Sequence, residues 1–160
     1  MPKTLVPRDP DFERRVRASF ERQAAMRTLG ATIERVAPGE VDVALPFRPD
    51  LTQQHGFLHA GVAASALDSA AGYAALTLMD PGAAVLSVEF RVQLLAPARG
   101  AWFRALGRVV RAGRTINVVS AELRAYKSAP VNGVLADEGE VVTLLSGTMM
   151  TVRDRPGLTD

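Results

Sequence analysis

The sequence lacks cysteine altogether, and its centre lacks positive charge. Because there is no Cys among the 160 residues, a disulfide scaffold, a thiolate zinc site and a cysteine nucleophile are excluded. No Lys or Arg occurs between Arg48 and Arg91. Over the whole chain 19 Lys and Arg oppose 17 Asp and Glu, a net charge of +2, so we expect no nucleic-acid partner.

The sequence also lacks a segment suited to export or to a membrane. The N-terminus, MPKTLVPRDPDFERR, has no apolar core of the kind found in signal peptides. The longest apolar run, residues 61–79, is Ala-rich and contains Asp68, which favours a buried helix over a membrane span. We therefore expect a cytoplasmic location and no membrane partner. A hydrophobic content of 48% fits one domain with a core.

The first thirty residues predict an amphipathic helix of about five turns. Asp9 and Pro10 suit a helix start, an apolar residue recurs at every fourth position from Phe12 onward, and Gly30 suits a helix end. We expect residues 1–30 to form a helical extension, residues 31–153 to form one domain, and residues 154–160 to be a flexible tail.

Strands make up most of the predicted domain. Alternating apolar residues and turn signals predict strands at residues 31–36, 40–47, 87–94, 101–111, 115–127 and 141–152. In two strands the alternation predicts which side chains are buried. These are Val41, Val43, Leu45 and Phe47 in one, and Val88, Phe90, Val92 and Leu94 in the other.

One helix, from about residues 59–61 to residue 80, interrupts the strands. It is apolar on nearly every side, so other elements must surround it. The economical solution is a curved antiparallel sheet wrapped around a long central helix. The sequence thus predicts an α+β protein with the hot-dog fold, to which the N-terminal helix is added.

A single carboxylate, Asp68, lies inside this helix. Its neighbours one turn away are Ala64, Ser65, Ala71 and Gly72, so no basic partner shares its face. A buried carboxylate without a partner is costly, and such groups concentrate at functional sites. The alternative is a structural Asp that bonds local hydroxyls or a sheet edge, or that faces solvent.

The start of the helix, at His59-Ala60-Gly61, supplies free backbone N–H groups. Such donors suit a carbonyl oxygen that develops negative charge, although small residues there also permit close packing. Gly61 and Asp68 are separated by about 10.5 Å along the helix axis, too far to serve one carbonyl. If the site is catalytic, we therefore expect at least a two-fold dimer, in which each site combines two chains.

Two other chemistries have little support. His55 and His59 are four residues apart, but Gly56 lies between them and no Cys or nearby third carboxylate completes a ligand set. We expect no metal. A serine nucleophile is not supported either, because no G-x-S-x-G motif occurs.

The helix and the loop before it resemble the active-site signature of the hot-dog acyl-CoA thioesterases, in the phenylacetate-pathway (PaaI-like) and 4-hydroxybenzoyl-CoA group. That signature is Asn or Gln, then His-Gly-Gly, then an Asp or Glu nine residues after the His. The resemblance spans roughly residues 31–152. Its residues are Gln53, His59-Ala60-Gly61, Asp68, Ser87-Val88-Glu89-Phe90, Leu95-Ala96-Pro97-Ala98, residues 107–114 and Gly147-Thr148-Met149-Met150.

The resemblance implies hydrolysis of an acyl- or aroyl-CoA to the acid and free CoA, without a cofactor because CoA belongs to the substrate. It makes Asp68 the general base or the nucleophile. The Ala60 and Gly61 N–H groups would polarise the carbonyl, Gln53 would bind water or the carbonyl, and Ser87 would contact Asp68 or the water. His59 would orient the loop. It also implies a homodimer at least, and a homotetramer as a dimer of dimers.

Two assignments within the resemblance stay open. Ala60 stands where the family usually has Gly, so its backbone N–H can act as a donor only if that backbone is helical. Gln54 is an alternative to Gln53 as the glutamine of the site. The phosphates of CoA could meet Arg108, Arg111 and Arg114 around a strand-to-strand turn, whereas the alternative is a solvated basic turn.

Two other functions are compatible with the fold. One is a non-catalytic acyl-CoA binding module, against which the presence of Asp68 argues. The other is a hot-dog hydratase or dehydratase, which relies on a His and a carboxylate at a different spacing.

Overall fold

The protein, described by a computed structural model over residues 5–160, contains a six-stranded sheet and one long helix. Two short helices precede them and pack on their edge. The elements are α1 (Phe12–Arg22), α2 (Ala24–Leu29), β1 (Thr32–Ala37), β2 (Glu40–Pro46), α3 (Ala60–Leu76), β3 (Ala84–Leu94), β4 (Trp102–Arg111), β5 (Ile116–Tyr126) and β6 (Glu140–Val152).

The sheet is antiparallel throughout, in the order β1-β2-β4-β5-β6-β3. Helix α3 packs on one face of it and contacts five of the six strands. Leu67 and Leu76 of the helix and Phe103 of β4 are fully buried between the layers. A curved sheet around a central helix is the hot-dog fold, so the predicted fold class is confirmed.

Helix α3 approaches β4 very closely, and Gly107 is the reason. A Cβ at position 107 would lie 2.2 Å from the backbone oxygen of Ala70, a distance that no side chain tolerates. The opposing helix residues are Ala70 and Ala71, whose side chains are the smallest available on that face. The Ala-rich composition of the helix is thus a condition for its contact with the sheet.

The chain buries only the second half of α3 completely. Every residue from Ser69 to Leu76 is buried. The first half leaves a line of side chains incompletely covered, at Gly61, Ala64, Ser65 and Asp68. The expectation that the whole helix is surrounded is therefore wrong for a single chain, because the sheet curves around one side of it only.

Strand β3 differs from its prediction. The alternation predicts a buried face at Val88, Phe90, Val92 and Leu94, yet Val88, Phe90 and Leu94 are 54%, 41% and 60% exposed. A bulge between Ser87 and Glu89 interrupts the pairing with β6, but the opposite face is exposed as well, so the bulge does not turn other side chains inward. Because β3 is an edge strand, one of its flanks has no neighbouring strand to cover it.

Strand β2 is buried on both faces, where the sequence predicts one. Its outward-facing Asp42 is only 4% exposed because it binds two guanidinium groups of β4. Arg108 lies 2.7 Å and Arg104 3.4 Å from the Asp42 carboxylate. Phe47, predicted to be buried, lies beyond the strand end and is 37% exposed.

The N-terminal extension is two helices where the sequence predicts one. The chain is extended at Gln23, whose Oε1 accepts a hydrogen bond from Ser69 of α3, and the bend turns Met26 into the core. Gly30 ends α2 in the left-handed conformation, as predicted. Residues 1–4 of the predicted extension lie outside the described residues.

Arg15 connects the extension to the end of α3. Its guanidinium group donates to the carbonyl oxygens of Leu76, Met79 and Asp80, at 3.1, 3.0 and 2.6 Å. Asp9 lies 3.2 Å away and supplies the balancing charge. The Leu76 oxygen also accepts from the Met79 N–H and the Asp80 oxygen from the Ala83 N–H, so Arg15 adds a second donor at the end of α3 and in the turn that follows it.

The last residues pack against the body of the protein, although the sequence predicts a flexible tail. The Asp160 carboxylate accepts hydrogen bonds from the Ser19 hydroxyl at 2.7 Å and from the Val85 N–H at 2.8 Å. Ser19 also meets the hydroxyl of Tyr73, and burial raises the pKa of Tyr73 above its usual value. Nothing local in the sequence indicates these contacts, because the partners are far apart in the chain.

Within residues 5–160, the helices are too short or too polar to cross a bilayer.

Candidate active site

The first turn of α3 is capped by a side chain, and this changes which backbone donors are open. His59 precedes the helix, and its Nδ1 accepts a hydrogen bond from the Gly61 N–H at 2.9 Å. The Val62 and Ala63 N–H groups donate to the His59 carbonyl. Within the described residues, the Ala60 N–H has no acceptor.

The sequence predicts two carbonyl-polarising donors here, and the structure leaves one of them open. The occupied donor is the Gly61 N–H, because it already donates to the imidazole of His59. The open donor is the Ala60 N–H. A Cβ at Gly61 would lie 3.1 Å from His59 Nδ1, so the glycine gives the imidazole its room. Ala60 is helical, which is the condition under which its added methyl group leaves the N–H accessible.

Asp68 lies two turns further along the same helix and meets Ser87. The Ser87 hydroxyl donates to Asp68 Oδ1 at 2.7 Å, and it also lies 3.3 Å from the Met149 sulfur. Ser87 lies directly before the β-bulge of β3. Asp68 is neither fully buried nor charge-paired within residues 5–160, so its carboxylate is accessible to a reactant.

Gln53 lies close to the helix start, and Gln54 does not. Gln53 is half-buried, its Oε1 accepts a hydrogen bond from the His55 N–H, and it lines the same cavity as Ala60. Because the oxygen is engaged, the NH₂ group of Gln53 is the part left to donate. Gln54 is exposed and does not line this cavity. The geometry favours Gln53 of the two.

A cavity of about 410 Å³, which we call the helix-start cavity, opens beside Ala60. The sequence did not indicate Leu94 or Thr143 as site residues, because nothing local distinguishes them from other strand residues. The strand register brings them together as cross-strand neighbours. The lining residues are Gln53, Phe57, Leu58, Ala60, Ala63, residues 94–98 and Thr143.

The two reactive ends of α3 do not meet within one chain. Eight residues separate Ala60 from Asp68, which corresponds to about 12 Å along the helix axis. A donor to a carbonyl oxygen and a group that attacks its carbon must both lie within roughly 3.5 Å of that carbonyl. A single chain therefore provides two halves of a site and no complete one.

The three arginines expected near CoA phosphates lie at the other end of α3 from Ala60. Arg108 is already paired with Asp42, which reduces its availability to a phosphate. Arg111 and Arg114 are exposed around the turn between β4 and β5. The phosphate-binding role of these arginines stays a prediction.

His55 lies in the exposed loop before α3, and His59 is engaged as the helix cap. Among the residues from 5 onward, no three His, Asp or Glu side chains come together in a way that suits a metal ion.

Comparison with known proteins places this geometry in a family. A model of the thioesterase superfamily matches residues 55–131, which include Gly61, Asp68 and Ser87. A protein of Saccharolobus solfataricus that has an esterase name is 32% identical over 96 residues, or 60% of this chain and 68% of that protein. The chain belongs to the thioesterase superfamily.

Solved structures agree with this thioesterase assignment. A thioesterase family protein from Silicibacter pomeroyi is 44% identical and superposes with a TM-score of 0.81, over 88% of this chain and 98% of that one. The E. coli PaaI protein of the phenylacetic acid degradation operon has a TM-score of 0.76 over 93% and 96% of the two chains. Its 20% identity shows a shared fold. Thioester hydrolysis is thus the reaction class of this chain.

Proposed function

We propose that this thioesterase hydrolyses an acyl- or aroyl-CoA to the free acid and CoA, and that each site is built from two chains. The observation behind the proposal is the hydrogen bond between Ser87 and Asp68, on the uncovered side of α3. A carboxylate held at that place, with the Ala60 N–H open at the helix start, supplies the two groups that thioester hydrolysis needs.

In the proposed reaction the Ala60 N–H of one chain binds the thioester carbonyl oxygen. The Gln53 NH₂ group, which lines the same cavity, provides a second donor in place of the occupied Gly61 N–H. Asp68 of the other chain removes a proton from water as the water oxygen adds to the carbonyl carbon. Alternatively Asp68 attacks the carbon itself, and the mixed anhydride left after loss of the thiolate is hydrolysed by water to the acid and the free carboxylate. In both routes the C–S bond breaks, and the CoA thiolate leaves and takes up a proton.

Two surfaces support pairing with a second copy. The exposed apolar side chains of β3 lie along an edge strand that has open backbone groups. Apart from Asp68, the uncovered line on α3 consists of small residues, which permit close approach of a second helix. A homodimer covers both surfaces, and a homotetramer would be a dimer of two such dimers. Arg111 and Arg114 remain the candidates for the CoA phosphates.

The test is hydrolysis of a panel of acyl-CoAs, followed through the free thiol released, by the wild type and by Asp68→Asn. We expect kcat to fall by at least about 10²-fold in Asp68→Asn, the lower end of general-base contributions. Asp11→Asn is the matched control, because Asp11 is an exposed carboxylate in the helical extension, and we expect it to retain full activity.

Three outcomes would contradict the proposal in whole or in part. If the wild type binds acyl-CoA without cleaving any thioester, the protein is a binding module, and if it hydrates enoyl-CoA it is a hydratase. If Asp68→Asn keeps full kcat, the thioesterase assignment survives but Asp68 is not the base or nucleophile.

A further inference from the structure

The helix-start cavity is apolar to a degree that restricts what binds in it. Only two of its lining side chains are polar, Gln53 and Thr143. None of the described residues that line it has a charge. A ligand group with a charge would lose its hydration there and gain no ion pair in return.

The position of the cavity indicates which part of a thioester it receives. Its lining includes Ala60, whose open N–H is the proposed carbonyl donor, so the groups bonded to that carbonyl lie at its mouth. On one side of the carbonyl is the acyl group. On the other is the sulfur with the pantetheine arm, whose amides need hydrogen-bond partners and which ends in phosphates.

A second cavity, of about 840 Å³, lies nearby and differs from the first because charged side chains line part of it. Arg99, which lines the second cavity, places its guanidinium group 5.1 Å from the ring centre of Phe57, which lines the first. Arg99 and four more charged side chains line the second cavity, namely Lys127, Asp137, Glu138 and Glu140. Of these two spaces, the one that Ala60 lines has no charged side chain in its lining and therefore suits the acyl group.

We infer that the helix-start cavity selects an uncharged, apolar acyl group, aliphatic or aryl, and excludes acyl groups that end in a carboxylate. The inference rests on the proposed function and specifies its substrate class. Leu94 and Thr143 determine the selection, because they form adjacent walls on β3 and β6. Thr143 is buried, whereas Leu94 is 60% exposed in the single chain, so a change at Leu94 alters the wall at small cost to the folding of one chain. Because Leu94 also lies on the apolar side of β3 proposed to meet a second copy, Leu94→Arg is compared with the wild type only after sedimentation shows that it forms the same oligomer.

The test compares hexanoyl-CoA with adipyl-CoA, whose acyl groups have the same number of carbon atoms. The hexanoyl chain ends in a methyl group and the adipyl chain ends in a carboxylate. For the wild type we expect kcat/KM to be at least about 100-fold higher with hexanoyl-CoA, because the cavity offers the carboxylate no cation. In Leu94→Arg we expect that ratio to fall at least tenfold, chiefly through faster hydrolysis of adipyl-CoA. Val134→Arg, which places the same charge on a 69% exposed residue of the loop before β6, leaves the ratio unchanged.

A wild-type ratio within about threefold of unity overturns the inference and leaves the proposed thioesterase function intact. An unchanged ratio in a folded Leu94→Arg variant overturns the assignment of Leu94 to the acyl wall. If the wild type hydrolyses neither thioester and no other acyl-CoA, the proposed function is overturned, and this inference with it. Because the first measurement uses only the wild type, a variant that fails to fold does not prevent the test.

Discussion

Asp68 illustrates how one side chain acquires a role from a distant partner. The carboxylate has no basic neighbour on its helix face, as the sequence indicates. Its hydrogen-bond donor is Ser87, nineteen residues away on another element. A hydroxyl that donates to Oδ1 fixes the orientation of the carboxylate and leaves Oδ2 for water or for the carbonyl carbon. Ser87 is therefore a positioning residue in the proposed reaction.

Replacement of Ser87 tests this role. We expect Ser87→Ala to lower kcat by roughly 10-fold to 100-fold with KM nearly unchanged, the range for loss of a hydrogen bond to a charged group. Ser87→Thr keeps the hydroxyl and should restore most of kcat. Ser146→Ala, an exposed serine on the neighbouring strand β6, is the control, and steady-state kinetics are the measurement. If Ser87→Ala keeps the full kcat, Ser87 does not position Asp68 for the reaction.

Helix α3 shows how neighbouring elements satisfy what one element leaves open. The His59 imidazole caps its first turn, and the Arg15 guanidinium group binds the carbonyl of its last residue, Leu76, and carbonyls of the turn that follows. Gly107 of β4 permits its backbone to reach the sheet. The helix is thus fixed at its C-terminal end by the extension, while its N-terminal half is only partly covered within one chain.

Replacement of Arg15 tests how much its contacts at the end of α3 contribute to stability. Arg15→Met keeps the length of the side chain but removes four interactions with carbonyl oxygens and with Asp9. Because the side chain is only 10% exposed, we expect a loss of about 2–4 kcal/mol in the free energy of unfolding, measured by denaturant titration. Arg14→Met changes an adjacent arginine that is 80% exposed and should cost less than about 0.5 kcal/mol. Equal stabilities of the two variants would contradict the assigned role of Arg15.

At the scale of the whole molecule, the single chain is incomplete in two respects. Its reactive groups are about 12 Å apart along α3, and its edge strand β3 exposes apolar side chains. Both are resolved if two copies pair with their helices antiparallel, because the Asp68 of one chain then faces the Ala60 N–H of the other. The catalytic unit in the proposed function is the dimer.

Complementation between two inactive variants tests the shared site. Ala60→Pro removes the open N–H at the first helical position, where proline is tolerated, and His59 before it is already extended. We expect each of Ala60→Pro and Asp68→Asn alone to lose at least about 10²-fold in kcat. Co-expressed, they form mixed dimers with one intact site of two, so about one quarter of wild-type activity returns.

Two controls make the complementation specific. Two different affinity tags on the chains allow the mixed dimers to be isolated, and Asp68→Asn with both tags shows no recovery. If the mixed dimers are as inactive as the parents, the two groups act within one chain or not at all, and the two-chain site is wrong.

The sequence by itself determined the elements, because helix and strand periodicity, caps and turns are local properties. The start of α3, the strands, Gly30 as a helix end and the isolation of Asp68 follow from neighbouring residues alone. The spacing from Gly61 to Asp68 also predicted that one chain cannot complete the site. These features needed only the geometry of a regular helix and the hydrophobic pattern.

The tertiary structure alone decided which groups meet. The exposure of β3 depends on its place at the sheet edge, and the sequence does not state the strand order. Leu94 and Thr143 face one cavity because of a register set between distant segments. The His59 imidazole occupies the Gly61 N–H because of a rotamer that periodicity does not encode. Contacts between segments far apart in the chain depend on packing, and packing is a property of the whole fold.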